Sequence, residues 1–206
     1  MLMEYLENNY KKNEPIFLSD INLPVSNNNL RQMFKNLCDS GKIERFDTGI
    51  YYIKGDSRIK GGSSISSSDV VEYKYISRLD KVEGYYSGYT FANQLGISTQ
   101  VPYVTEIVSN NASAKCREVT IKNKKVLLRK PRATITRENF LVLQLLDLIK
   151  DLEQYIDNDS PGAEKAIKDY IRLNGIRRED IDKYISLFPE RIYRYIYEFK
   201  LYEAFV

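Results

Sequence analysis

Between residues 27 and 53 the spacing of apolar and polar positions changes once, and the change predicts a helix followed by a hairpin. Leu30, Met33, Phe34, Leu37 and Cys38 fall on one arc of a wheel with about 3.6 residues per turn, while Asn28, Arg31, Gln32, Lys35 and Asn36 take the opposite arc. Asn27 as N-cap and Gly41 just past the end would bound a helix of about three to four turns, a length that fits a DNA major groove. From Lys42 to Phe46 the alternation shortens to every second residue, Asp47-Thr48-Gly49 supplies a turn, and residues 50–53 return as a second strand. Residues 2–10 read as a preceding helix and 18–21 as a short second one, ended by Leu23-Pro24. That order of elements is the order of a winged helix-turn-helix.

Residues 55–68, rich in Gly and Ser and poor in core-forming side chains, read as a linker between a domain at 1–54 and a second at 69–206. In the second domain Ser68 or Asp69 can cap a helix reaching about Leu79, a helix over 89–95 ends at Gly96, and a strand over 103–108 follows Pro102. Glu118-Val119-Thr120-Ile121 and Val126-Leu127-Leu128-Arg129 flank a polar 122–125 segment and predict a hairpin. Thr136 with Asn139 is a partial capping box before 140–149, a run apolar on nearly every side that predicts a buried spine. Ser160-Pro161 opens a further helix and residues 177–187 another. Pro189 at the first helical position starts a last helix to Phe205, with Ile192, Tyr195, Ile196 and Phe199 inward. Tyr193, Tyr197 and Tyr202 lie off that stripe as a candidate partner surface. The expected class is α+β, an N-terminal winged helix-turn-helix followed by a mixed α/β domain ending in several helices.

Composition narrows the chemistry. At 206 residues and 43% apolar content the chain can bury real cores. It has no run of about 18 apolar residues, so no membrane partner and a cytoplasmic location are expected. There is no histidine and no CxxC; Cys38 and Cys116 do not make a disulfide framework. Histidine-based zinc sites and Ser-His-Asp or Cys-His catalysis are thereby excluded, and no catalytic residue, cofactor or metal is expected.

The net charge of +3 conceals its distribution: Lys115, Arg117, Lys122, Lys124, Lys125, Arg129, Lys130, Arg132 and Arg137 stand against Glu118 alone between residues 115 and 137. Two readings of this island stand side by side: Lys122, Lys124, Lys125, Arg129, Lys130 and Arg132 contact nucleic acid or a partner, or the lysines protect a sheet edge from aggregation. On the helix of the first domain Arg31 can chelate a guanine, Asn28 or Gln32 an adenine, and Lys35 can neutralise a phosphate, with Lys42 and Arg45 on the wing. The alternative is that the polar arc is simply solvated and the winged helix is a protein-interaction adaptor. An enzymatic reading, a metal-dependent nuclease using Asp80, Glu83, Glu106, Glu118 and Lys122, lacks the Lys expected two residues after Glu118.

Gly41-Lys42-Ile43, Gly49-Ile50-Tyr51 and above all SGYTFANQLGISTQVPYVTEIVSNN at 87–111 resemble the AbiEi-like antitoxins of type IV, abortive-infection toxin-antitoxin systems, over about residues 1–150. The resemblance implies a winged helix that binds inverted repeats in its own promoter and a C-terminal domain that opposes a paired nucleotidyltransferase toxin. Carried over by position, it implies Asn28, Asn29, Arg31, Gln32 and Lys35 as DNA-reading residues, with Arg45 and Thr48 on the wing. An inverted repeat implies two copies on the DNA, as a homodimer or as cooperating monomers. The 93–102 segment admits two accounts: a structural corner built on Gly96, Thr99 and Pro102, or amides of Asn93, Gln94 and Gln100 presented to a partner.

Overall fold

The computed structural model describes residues 2–55, 64–156 and 162–205, in an α+β arrangement of two compact units, Met1–Val70 and Val71–Val206. Most of the expected linker, residues 56–63, lies outside the described residues, as do Ser160 and Pro161.

In the first unit α1 (Leu2–Asn9) is followed by β1 (Ile16–Phe17), a 3-10 turn at Leu18–Asp20, α2 (Asn27–Asp39), β2 (Glu44–Asp47) and β3 (Ile50–Tyr52). The N-cap of α2 is Ser26 rather than Asn27: its hydroxyl accepts from the Asn29 N–H, which leaves Asn27 as the first helical residue. At the other end Gly41 takes φ +69°, Gly41 N–H donates to Cys38 O and Lys42 N–H to Leu37 O, the paired bonds of a Schellman stop. Leu30 and Phe34 are buried, and Met33, Leu37 and Cys38 pack against the same core as Leu6, Ile16 and Ile43. The two strands of the hairpin pair antiparallel with an irregularity between Arg45 and Asp47, and Gly49 supplies the positive φ of the turn. β1 was not expected; Ile16 and Phe17 pair with Tyr51 and Ile50, making a three-stranded sheet ordered β1-β3-β2. Two residues are too few to show a period, and only pairing with β3 makes them a strand.

The unit division falls within α3 (Ser67–Tyr75). Its cap is Ser66, whose hydroxyl accepts from the Asp69 N–H while the Asp69 carboxylate accepts from the Ser66 N–H, so Ser68 and Asp69 are inside the helix. The helix stops at Tyr75, short of Leu79, which takes φ +52° in the turn between β4 (Ser77–Arg78) and β5 (Lys81–Val82). Next come β6 (Gly84–Tyr86), α4 (Gly88–Gln94), β7 (Thr105–Ser109), β8 (Cys116–Ile121) and β9 (Lys124–Arg129), whose sheet is ordered β6-β7-β9-β8. β7 runs parallel to β9 and the other two pairings are antiparallel; by the order of the sheet β6 and β8 are its edges. β7 starts at Thr105, which leaves Tyr103 before the strand. The hairpin tip is Lys122-Asn123 alone, with φ +55° at Lys122; Lys124 and Lys125 belong to β9.

α5 (Phe140–Ile149) is the spine of this unit, with all residues from Val142 to Ile149 buried. Thr136 N–H donates to Asn139 Oδ1, but three turn residues intervene before the helix begins at Phe140. Around it lie α6 (Leu152–Tyr155), α7 (Ala163–Leu173), α8 (Arg178–Tyr184) and α9 (Arg191–Glu198). The expected 177–187 helix is α8 continued by a 3-10 turn at Ile185–Leu187. α9 begins two residues after Pro189 and ends well before Phe205, because Lys200 turns the chain at φ +46°. Ile192 and Tyr195 are buried while Tyr193, Tyr197 and Tyr202 are exposed. Among the described residues no helix is long and apolar enough to cross a membrane.

Candidate nucleic-acid interface

Seven residues of the first unit are candidates for reading DNA, and the fold sorts them into two groups. All seven, Asn28, Asn29, Arg31, Gln32, Lys35, Arg45 and Thr48, are exposed. Arg31 and Lys35, one turn apart on α2, meet Arg45 and Thr48 of the hairpin around a cleft of about 600 Å³. The hairpin is held at this cleft by the Leu18 N–H, which donates to Gly49 O at 2.9 Å. Arg45 is oriented within the hairpin, its Nε donating to Asp47 O at 3.3 Å and its Nη2 to Thr48 Oγ1 at 3.4 Å. The Thr48 N–H in turn donates to Asp47 Oδ1 at 2.7 Å, which fixes the turn carrying the hydroxyl. Asn28, Asn29 and Gln32 do not line the cleft; Gln32 Nε2 donates to Asn36 Oδ1 along the outer face of α2. Asp39 and Cys38 also line the cleft, and neither was singled out in the sequence as part of a site. Burial first, and then the Asp39 carboxylate, raise the Cys38 thiol above its ordinary range.

A second ionic group braces the hairpin base. Tyr52 donates its hydroxyl to Glu44 Oε2 at 2.5 Å, and Lys54 Nζ stands 2.6 Å from Glu44 Oε1. Hydrogen bonds from Lys54 and Tyr52 hold the Glu44 carboxyl below its ordinary value, while burial and then the bond to Glu44 push Tyr52 up to about 12. The folded chain keeps the Tyr52 proton past the pH, about 10, at which an unfolded tyrosine loses it. This contribution to stability is complete below pH about 10 and is lost as the pH rises through about 12. Tyr52→Phe should therefore flatten the alkaline fall in urea midpoint over that window; a slope equal to the wild type's would detach Tyr52 from it.

In the second unit the basic island divides. Arg129 reaches Glu106 Oε2 at 2.6 Å, and Arg132 donates to Leu187 O at 2.8 Å with its guanidinium over the Phe188 ring. Both therefore staple the fold. Lys125 pairs with Glu118 at 3.6 Å and lies over the exposed Tyr103 ring, while Lys122 and Lys130 are exposed.

Glu106, a candidate nuclease acid, serves a different task. Its Oε1 accepts from the Tyr89 N–H at 3.1 Å, its own N–H donates to Thr90 Oγ1 at 2.9 Å, and Gly88 at φ +58° leaves room for the carboxylate. A Cβ at Gly88 would lie 2.3 Å from that group. The segment after it is a corner as well: Asn93 Nδ2 donates to Ser98 O, the Gln100 N–H donates to Ser98 Oγ, and Gly96 takes φ +70°. Asn93 thus spends its amide within the chain. Among the described residues no group of three or more Cys, Asp or Glu is placed to hold a metal ion.

The arrangement defines an α+β protein whose first unit presents cations from a helix and a hairpin to one cleft. A model of the Family of unknown function (DUF6088) matches residues 4–176, and the chain belongs to that family. No curated protein matches the chain. The matched span ends at Ile176, before α8 and α9.

Proposed function

We propose that this protein is a sequence-specific DNA-binding regulator, its first unit a winged helix-turn-helix in which α2 is the recognition helix and the β2-β3 hairpin the wing. The observation that carries the reading is the meeting of Arg31 and Lys35 on α2 with Arg45 and Thr48 on the hairpin. A helix of 13 residues, exposed along Asn28, Arg31, Gln32 and Lys35, offers a major groove side chains that pair with guanine, adenine and phosphate. The hairpin beside it offers a cation to the flanking backbone. Cations gathered from a helix and a hairpin onto one face attract a polyanion.

Within that reading the protein acts as the antitoxin of a toxin-antitoxin pair, repressing its own promoter at inverted repeats and opposing a nucleotidyltransferase toxin without catalysis of its own. The likeness of residues 87–111 to AbiEi-like antitoxins supports this role. A mobility shift of the full chain on its own upstream DNA, with excess nonspecific competitor, tests the regulator. Retention should be specific and should weaken at least about tenfold between 50 and 200 mM salt, as expected for several neutralised phosphates. Salt-insensitive retention, or none, would remove DNA from the reading. Co-expression with an adjacent nucleotidyltransferase gene should restore growth that the transferase alone arrests.

A further inference from the structure

The cleft of the first unit is built for more than a passing backbone phosphate. Its volume of about 600 Å³ falls in the range of about 300–1,000 Å³ typical of small-molecule sites. Buried Tyr51 and half-buried Leu18 line it together with exposed Arg31, Lys35 and Arg45. Within the described residues no ion pair joins Arg31 or Lys35 to a carboxylate, and Arg45 is already held by Asp47 O and the Thr48 hydroxyl. Three cations lining one partly apolar recess suit an anion carried on an organic body. DNA lying along the outer face of α2 would use the exposed heads of these cations and leave the recess behind them unfilled. Asp39 sharpens the choice: a carboxylate in the cleft opposes a bare polyphosphate and accepts a hydrogen bond from a hydroxyl or amine.

We propose that this cleft binds a small organic phosphate, its phosphate held by Arg31, Lys35 and Arg45 and a hydroxyl or amine of its organic part by Asp39. Occupancy of the cleft uses the same Arg31 and Lys35 that the DNA reading requires, so on that reading ligand and operator exclude each other and the ligand is an inducer.

Ribose 5-phosphate is a suitable probe because it joins a phosphate to hydroxyl groups. Titrated into the full chain and followed by amide NMR shifts, it should bind saturably with a dissociation constant at or below about 1 mM, perturbing residues 31, 35, 45 and 48. Inorganic phosphate should bind at least about fivefold more weakly and ribose should be silent, since neither carries both groups. Arg45→Ala should weaken the probe about tenfold or more, and Asp39→Asn should erase its advantage over inorganic phosphate. Absence of saturable binding, or binding unchanged in both Arg31→Ala and Arg45→Ala, overturns the proposal. A mobility shift with added probe separates the two claims. Probe binding to a chain that retains no DNA leaves the cleft site standing and removes the regulator; DNA retention with no probe binding does the reverse.

Discussion

Alanine at Gly84 is expected to unfold the second unit, a larger effect than alanine at Gly88 or Gly96. A Cβ there would stand 2.0 Å from Tyr75 O and 2.8 Å from Val108 O, both backbone atoms. Neither neighbour can rotate away. Tyr75 closes α3, and Val108 lies in β7, which pairs with β6 on one side and with β9 on the other. Relief would require β6 to lift, breaking the Gly84 N–H bond to Ile76 O and the contact of Ser109 Oγ with Glu83 O. Overpacking usually costs about 1–3 kcal/mol, and a backbone overlap of this depth should exceed that, a large part of the 5–15 kcal/mol or so that holds a domain together. Urea unfolding should show Gly84→Ala with no cooperative transition from the second unit. A midpoint shift worth under about 1 kcal/mol would mean that the sheet edge yields freely. Two further glycines grade the argument. Gly88→Ala meets the Glu106 side chain, which can swing at the expense of its pair with Arg129, and should cost less. Gly96→Ala has nothing within 4 Å and bears only the left-handed backbone penalty of about 1–2 kcal/mol.

The double substitution Arg31→Ala, Lys35→Ala should lower operator affinity by about 100-fold or more while leaving the urea midpoint within about 0.5 kcal/mol of wild type. Both side chains are exposed and outside the core cluster of the first unit, so their loss removes charge without opening a cavity. Arg31 should carry discrimination between sequences, and Lys35 a share of salt dependence, reducing the logarithmic slope by about one. Measured separately, Arg31→Ala should relax specificity and Lys35→Ala should weaken all sequences alike. Equal affinity of the double variant and wild type would move the contact away from this face of α2.

Much of the first unit is legible in the sequence, because α2 and its hairpin carry their periods in the chain itself. Five apolar residues on one arc bury that arc whatever they pack against, and a Gly after the last turn ends the helix by its own backbone freedom. α5 was equally plain, since an all-round apolar decamer has nowhere to go but inside. The short strands were not readable. β1 at two residues and β6 at three exist through partners far along the chain, Tyr51 and Ile50 for one and Val108 for the other. The 67–79 stretch misled for a related reason: its helical residues continue in composition past Tyr75, but Leu79 is held at positive φ by the pairing of Ser77 with Val82.

What the sequence determined alone, then, was local: the periods of α2, its hairpin and α5, the Gly41 stop of α2, the absence of histidine, and the placing of cations on an exposed helical arc. These follow from neighbouring residues and the fixed geometry of the backbone. Tertiary structure alone decided which charges work together. Arg45 and Thr48 join Arg31 and Lys35 because Leu18 pins the hairpin turn. Glu106 binds Arg129 because parallel pairing of β7 with β9 sets those strands side by side. Charge interactions depend on distance in space, and distance in space between residues far apart in the chain is what folding creates.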